Sequence, residues 1–198
     1  NSPALRRFGA SSSGGSRFKG LVYEAAIYNR ALSATEIADI YNAAGPGKAG
    51  NTISGNLIGT NVTGTSALGN GSNGIYLYNS SINTIGGSTA LTRNVISGNM
   101  LDGIRLDGAV SAYNIISGNY IGTNTAGTAS LGNQDYGINV LNGAKYNVIG
   151  GLTTTVGSGL GNVISGNTIS GVGFANAGTG NSVLGNLIGT DSAGTVDV

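Results

Sequence analysis

The stretch NTISGNLIGT at 51–60 returns as NIISGNYIGT at 114–123 and as NSVLGNLIGT at 181–190, with a nearly constant step between copies. A second stretch, NVISGN at 94–99, returns at 162–167 after a similar step. Self-similarity at a near-constant period marks a chain built from one stacked unit, because each unit can bury its apolar face only against its neighbours. The period divides once more. Gly74, Gly103, Gly137 and Gly171 each open a short alternating segment (GIYLY, GIRLD, GINVL, GVGFA), at about half the spacing of the long repeat. These shorter steps are single coils, and two of them make the long repeat.

Within a coil the apolar runs predict three or four strands of three to five residues, separated by Gly-Asn or Gly-Thr corners. Such strands are too short for a sandwich, and no helical stretch between them suits a leucine-rich or α-solenoid design. Parallel stacking satisfies each strand from the coils above and below, at a rise of about 4.8 Å. The reading is therefore all-β, a parallel β-helix solenoid. Because strand side chains alternate between faces, aligning the coils on their glycines turns sequence into columns. Ile75, Ile104, Ile138 and Val172 form one inward column, and Leu77, Leu106, Val140 and Phe174 another. Ile85, Ile116, Ile149 and Val183 stack on a second face, begun by Ile53. Asn suits corners, and its amide both donates and accepts, so Asn83, Asn114, Asn147 and Asn181 are expected to bond from coil to coil.

Composition agrees with this architecture and narrows the chemistry. Of 198 residues, 37 are Gly and 24 are Asn, and only 17 are charged. Collagen fails because Gly does not fall at every third position, and disorder fails because net charge is +1 with Ile, Val and Thr throughout. No apolar run reaches the roughly 20 residues that span a bilayer, so no membrane insertion is expected. Without Cys or His there are no disulfides, thiolate zinc sites, His-ligated metals or Ser-His-Asp triads. Residues 1–50 carry six basic and three acidic groups, and 51–198 three basic and five acidic, too few cations for a nucleic-acid footprint.

The character of the chain changes at Gly45-Pro46-Gly47, and residues 45–50 read as a linker. Before it, Ser33 and Glu36 have capping-box spacing, and Ile37, Ile40 and Tyr41 share one face, which predicts a short helix over 33–43. Segments 4–10 and 18–28, joined by a Ser/Gly loop, predict a β-hairpin. The run FKGLVYE (18–24), then AIYNRALS (26–33) with Glu36 and Ile37, resembles the closing strand and helix of concanavalin-A-like, laminin-G-like jelly rolls of bacterial surface proteins. The resemblance implies that residues 1–44 are the C-terminal remnant of such a domain. It departs at Tyr23, where the family often has an acidic residue, and most of the jelly roll is missing, so no lectin activity is carried over. The NVISGN and YIGTNTAGTASLGN motifs resemble repeats of right-handed parallel β-helices in large bacterial extracellular proteins, over residues 51–198. With no leader and no cap on its last coil, the chain reads as a piece of a longer protein, with end-to-end self-association through open coil edges as an expectation.

One outward face carries candidate chemistry. Its columns read Tyr76, Arg105, Asn139, Gly173 and Tyr78, Asp107, Leu141, Ala175, with Asp102 and Asp135 just before their strands. A polysaccharide lyase needs carboxylates for calcium and a Lys or Arg to abstract a proton, which makes Arg105, Asp107, Asp102 and Asp135 the catalytic candidates. Tyr76, Tyr78, Arg105 and Asn139 are the candidates for carbohydrate contact. Against catalysis, Arg105 and Asp107 lie two apart on one strand and suit a solvated ion pair worth about 0–1 kcal/mol. No metal site and no cofactor are expected; calcium enters only with the lyase reading. The preferred reading is a non-catalytic structural or adhesive segment of a secreted or cell-surface bacterial protein that contacts polysaccharide or glycan. The alternative is a fragment of a pectate-lyase-like enzyme.

Overall fold

A computed structural model describes residues 50–198; the expected hairpin, the helix over 33–43 and all of the linker but Gly50 lie outside the described residues. The described chain winds through three parallel sheets, visiting each in turn. The first contains β1 (Thr52–Ile53), β4 (Thr84–Gly86), β7 (Ile115–Ser117), β10 (Val148–Gly150) and β13 (Ser182–Leu184). The second contains β2 (Leu57–Ile58), β5 (Val95–Ile96), β8 (Tyr120–Ile121), β11 (Val163–Ile164) and β14 (Leu187–Ile188). The third contains β3 (Ile75–Tyr78), β6 (Ile104–Asp107), β9 (Tyr136–Leu141) and β12 (Ser170–Ala175). Every strand pairs in parallel with its equivalent one coil away, so the fold is an all-β parallel β-helix. Each full coil has three strands, some only two residues long. Corners held by side chains, rather than strand length, define the turns.

The register matches the expected columns. Ile75, Ile104, Ile138 and Val172 are partners in succession, as are Leu77, Leu106, Val140 and Phe174. Ile53, Ile85, Ile116, Ile149 and Val183 follow on the first sheet. The second sheet adds Ile58, Ile96, Ile121, Ile164 and Ile188. Ile85, Ile96, Ile104, Leu106, Ile116, Ile121, Ile138, Ile149 and Ile164 are fully buried in one continuous core. Burying each is worth about 1.5–3 kcal/mol, so the columns are the main cohesive term. Phe174 keeps Val140's register but is 49% exposed, because no described coil lies above β12.

The doubled period has a structural cause. Partners on the first sheet recur at nearly equal steps along the chain, whereas on the second sheet the steps from Leu57 to Val95, Tyr120, Val163 and Leu187 alternate between long and short. Alternate coils place their extra residues on opposite sides of the second sheet. The coils of β2, β8 and β14 follow that strand with a small antiparallel loop, closed at Thr60–Ala67, Thr123–Ser130 and Thr190–Asp197. The intervening coils insert 87–94 and 151–162 before it instead. Each small loop reaches across the intervening coil to its counterpart: Thr125 N donates to Gly64 O at 3.0 Å, and Ser192 N to Gly127 O at 2.7 Å. Gly64, Gly127 and Gly194, all at positive φ, bring these loops against Leu57, Tyr120 and Leu187. Val95, Tyr120, Val163 and Leu187 thereby form a second apolar cluster, on the outer face of the second sheet.

Asparagine stitches the corners three times over. The expected ladder is present and begins earlier, with Asn51, Asn83, Asn114, Asn147 and Asn181 joined side chain to side chain at 2.8–3.0 Å. A second ladder runs Asn56, Asn94, Asn119, Asn162, Asn186, and a third Asn70, Asn99, Asn133, Asn167. In each rung one Oδ1 accepts from both the backbone N–H and the Nδ2 of the Asn one coil below. The third ladder explains Gly74, Gly103 and Gly137, whose φ is ordinary. A Cβ on Gly103 would sit 2.7 Å from Asn133 Nδ2 and 2.6 Å from Gly137 O, so close approach excludes a side chain there.

Candidate functional site

The outer face of the third sheet gathers nearly all the candidate residues. Parallel register places Tyr76 beside Arg105 and Arg105 beside Asn139, with Tyr78, Asp107 and Leu141 in the next column. The Arg105 guanidinium donates to Asp107 Oδ2 through Nη2 at 3.0 Å and Nε at 3.2 Å, and its Nη1 lies 3.5 Å from Asp102 Oδ2. Tyr76 donates its hydroxyl to the same Asp107 Oδ2 at 3.2 Å. The pair is not solvated as expected: Arg105 keeps 30% side-chain exposure, but Asp107 and Asp102 keep only 8% and 1%. Long side chains and corner residues from neighbouring coils close over the two carboxylates.

Both carboxylates are also held by groups that the sequence reading did not single out. Asn142 donates Nδ2 to Asp107 Oδ1 at 2.8 Å, and the Tyr136 N–H donates to Asp102 Oδ1 at 3.2 Å. Asn139 points its amide at Asp102, 3.3 Å from each oxygen, and so supports the cluster from within. Asn142 sits at φ 51°, in the same corner column as Asn79, Gly108 and Asn176, which all have positive φ. An Asn or Gly after each third-sheet strand was the available signal. Asp135 lies near Asp102, but among the described residues its carboxylate makes no hydrogen bond or ion pair.

Electrostatics separates the two bonded carboxylates. The Asn142 amide, against the opposing effect of burial, holds Asp107 below the usual carboxylate range, with Arg105 and Tyr76 adding to it. Burial pushes Asp102 above that range, only partly offset by Tyr136 N–H, Asn139 and Arg105. Desolvation and the bond to Asp107 raise the Tyr76 hydroxyl. Beside this closed network, Tyr76 and Tyr78 are 51% and 62% exposed, with ring centroids 6.0 Å apart and planes tilted by 47°. Further up the face, the Tyr136 ring lies against the backbone of Gly173, where a Cβ would be 2.6 Å from the ring.

Among the described residues no three acidic side chains come close enough together to share a metal ion, and no buried side-chain polar atom lacks a hydrogen-bond partner. No helix of the described residues is long and apolar enough to cross a membrane. No family model matches the sequence, and no curated protein or solved structure matches it.

Proposed function

We propose that the coils form a non-catalytic structural and adhesive segment whose third-sheet face contacts neutral polysaccharide. One observation carries this reading: Arg105, Asp102 and Asp107 are spent on one another while the tyrosine rings beside them stay open. A base for proton abstraction needs a free lone pair beside its substrate, and Arg105 is instead clamped between Asp102 and Asp107. Exposed, rigid tyrosine rings provide apolar area with a polar tip at little conformational cost, which suits the faces and hydroxyls of sugars. Arg105 against Asp102, Asp107 and Asp135 leaves the face net negative when the carboxylates are ionised, so it disfavours a polyuronate and admits an uncharged chain.

Resemblance of residues 1–46 to a laminin-G-like jelly-roll terminus, and of 51–198 to bacterial surface β-helix repeats, supports placing the parent protein outside the cell or on its surface. The test is an array of neutral glucans, xylans and mannans beside polygalacturonate, probed with the wild-type chain and the Tyr76→Ala/Tyr78→Ala double variant. Binding to a neutral glycan that the double variant loses supports the proposal; preference for polygalacturonate overturns it. A parallel incubation with polygalacturonate and calcium, followed by ultraviolet absorbance of unsaturated ends, tests the lyase alternative. Product that disappears in Arg105→Ala would establish it.

A further inference from the structure

The sequence contains three Asn-Gly pairs, Asn70-Gly71, Asn73-Gly74 and Asn142-Gly143. Asn-Gly is the pair most prone to spontaneous deamidation, since a glycine nitrogen meets no side-chain hindrance on its way to the asparagine carbonyl. The backbone nitrogen of the glycine attacks Asn Cγ, ammonia leaves, and water opens the resulting succinimide to aspartate or isoaspartate. The attacking nitrogen must first lose its proton and its hydrogen bond. Here the three sites differ. Gly74 N donates to Asp102 O at 2.9 Å and Gly143 N to Asn176 O at 2.8 Å, so both nucleophiles are engaged. Gly71 N has no hydrogen bond among the described residues, both Asn70 and Gly71 are exposed, and a Cβ on Gly71 would meet nothing within 4 Å.

We propose that Asn70 is a site of spontaneous deamidation, and that its conversion removes the side-chain bond of the first rung of the third asparagine ladder, leaving only the longer one from Asn70 N to Asn99 Oδ1 at 3.3 Å. In that rung Asn70 donates Nδ2 to Asn99 Oδ1 at 2.9 Å. After conversion a carboxylate oxygen faces Asn99 Oδ1 in place of the donor, so an attraction becomes a repulsion. The isoaspartate product also lengthens the backbone by one bond. The chain's formal net charge falls from +1 by one unit with each conversion.

Peptide mapping by mass spectrometry, after incubation of the folded chain in warm, mildly alkaline buffer, tests this directly. Asn70 is expected to convert faster than Asn73 and Asn142 by roughly five- to tenfold, the factor that one ordinary hydrogen bond on each protected glycine imposes. In concentrated urea the three rates converge, which separates the effect of the fold from that of sequence. Gly71→Ala, whose methyl has room, is expected to suppress the reaction at residue 70 without lowering the melting temperature. Asn73 or Asn142 converting as fast as Asn70 in the folded chain, no conversion at Asn70, or conversion unchanged in Gly71→Ala each overturns the proposal.

Discussion

Replacing Asn114 by Ala removes the middle rung of the first ladder. Its side chain is fully buried and makes four hydrogen bonds: Oδ1 accepts from Asn83 N at 2.9 Å and Asn83 Nδ2 at 2.8 Å, while Nδ2 donates to Asn147 Oδ1 at 2.9 Å and Ser80 O at 3.0 Å. Two of the four partners keep a second bond, since Asn83 Nδ2 still reaches Ser80 Oγ and Asn147 Oδ1 still accepts from Asn114 N. The other two, Asn83 N and Ser80 O, lose their partner. Asn83 is buried but Ser80 only half-buried, so at about 1–3 kcal/mol for the buried group left unsatisfied and about 1 kcal/mol for the other lost bond the expected loss is about 2–4 kcal/mol, a sizeable share of the roughly 5–15 kcal/mol of a typical domain. Asn181→Ala is the control. It makes the same kind of bonds, to Asn147, Ala144 and Gly178, but is half-buried, so water replaces what is lost. Urea unfolding followed by circular dichroism measures both. Equal shifts in the two variants, or a shift for Asn114→Ala below about 0.5 kcal/mol, would refute the claim that buried asparagine rungs hold the coils together.

Gly103→Ala is expected to destabilise by about 1–3 kcal/mol in the same assay, through collision with Gly137 O and the Asn133 amide. Ile121→Ala, in the centre of the core, is expected to cost about 2–5 kcal/mol by thermal melting. Asp107, lowered in the folded chain, contributes stability that is lost as pH falls from the ordinary carboxylate value through its folded one, so Asp107→Asn flattens the acid side of a stability–pH profile. Asp102, raised, works in the opposite sense: the folded state binds its proton more tightly, stability falls as pH rises from the ordinary value through the folded one, and Asp102→Asn removes that decline. Profiles that move in the same direction for both variants would contradict the assignment.

The columns of the first and third sheets were legible because a strand has period two and the coils announce themselves by repetition at Gly74, Gly103, Gly137 and Gly171; the second-sheet column from Ile58 to Ile188, whose steps alternate, was not. Why Gly74, Gly103 and Gly137 are glycine was not read from the sequence: it depends on Asn99, Asn133 and Asn167, whose amides arrive from the next coil. The third ladder keeps the spacing of the four coil-opening glycines, with rungs 29, 34 and 34 residues apart, so its signal was in the sequence and went unread; the second stayed hidden for a different reason. Rungs such as Asn94–Asn119 and Asn119–Asn162 are 25 and 43 residues apart, because the inserted loops alternate, and an expectation of equal coils does not pair them. On the outer face, sequence placed Tyr76, Arg105 and Asp107 together but read their surroundings as water. Burial of Asp102 and Asp107 comes from neighbours one coil up, Asn139 and Asn142, that alternation alone cannot rank.

The loops that clasp one another across an intervening coil make two turns of the helix mechanically one. Pulled from its ends, such a stack gives way in double steps, since breaking Thr125 from Gly64 frees the coil trapped between them at the same moment. A single-molecule extension record would then show increments of about 63–67 residues, roughly 21–24 nm of released contour, and not half that length.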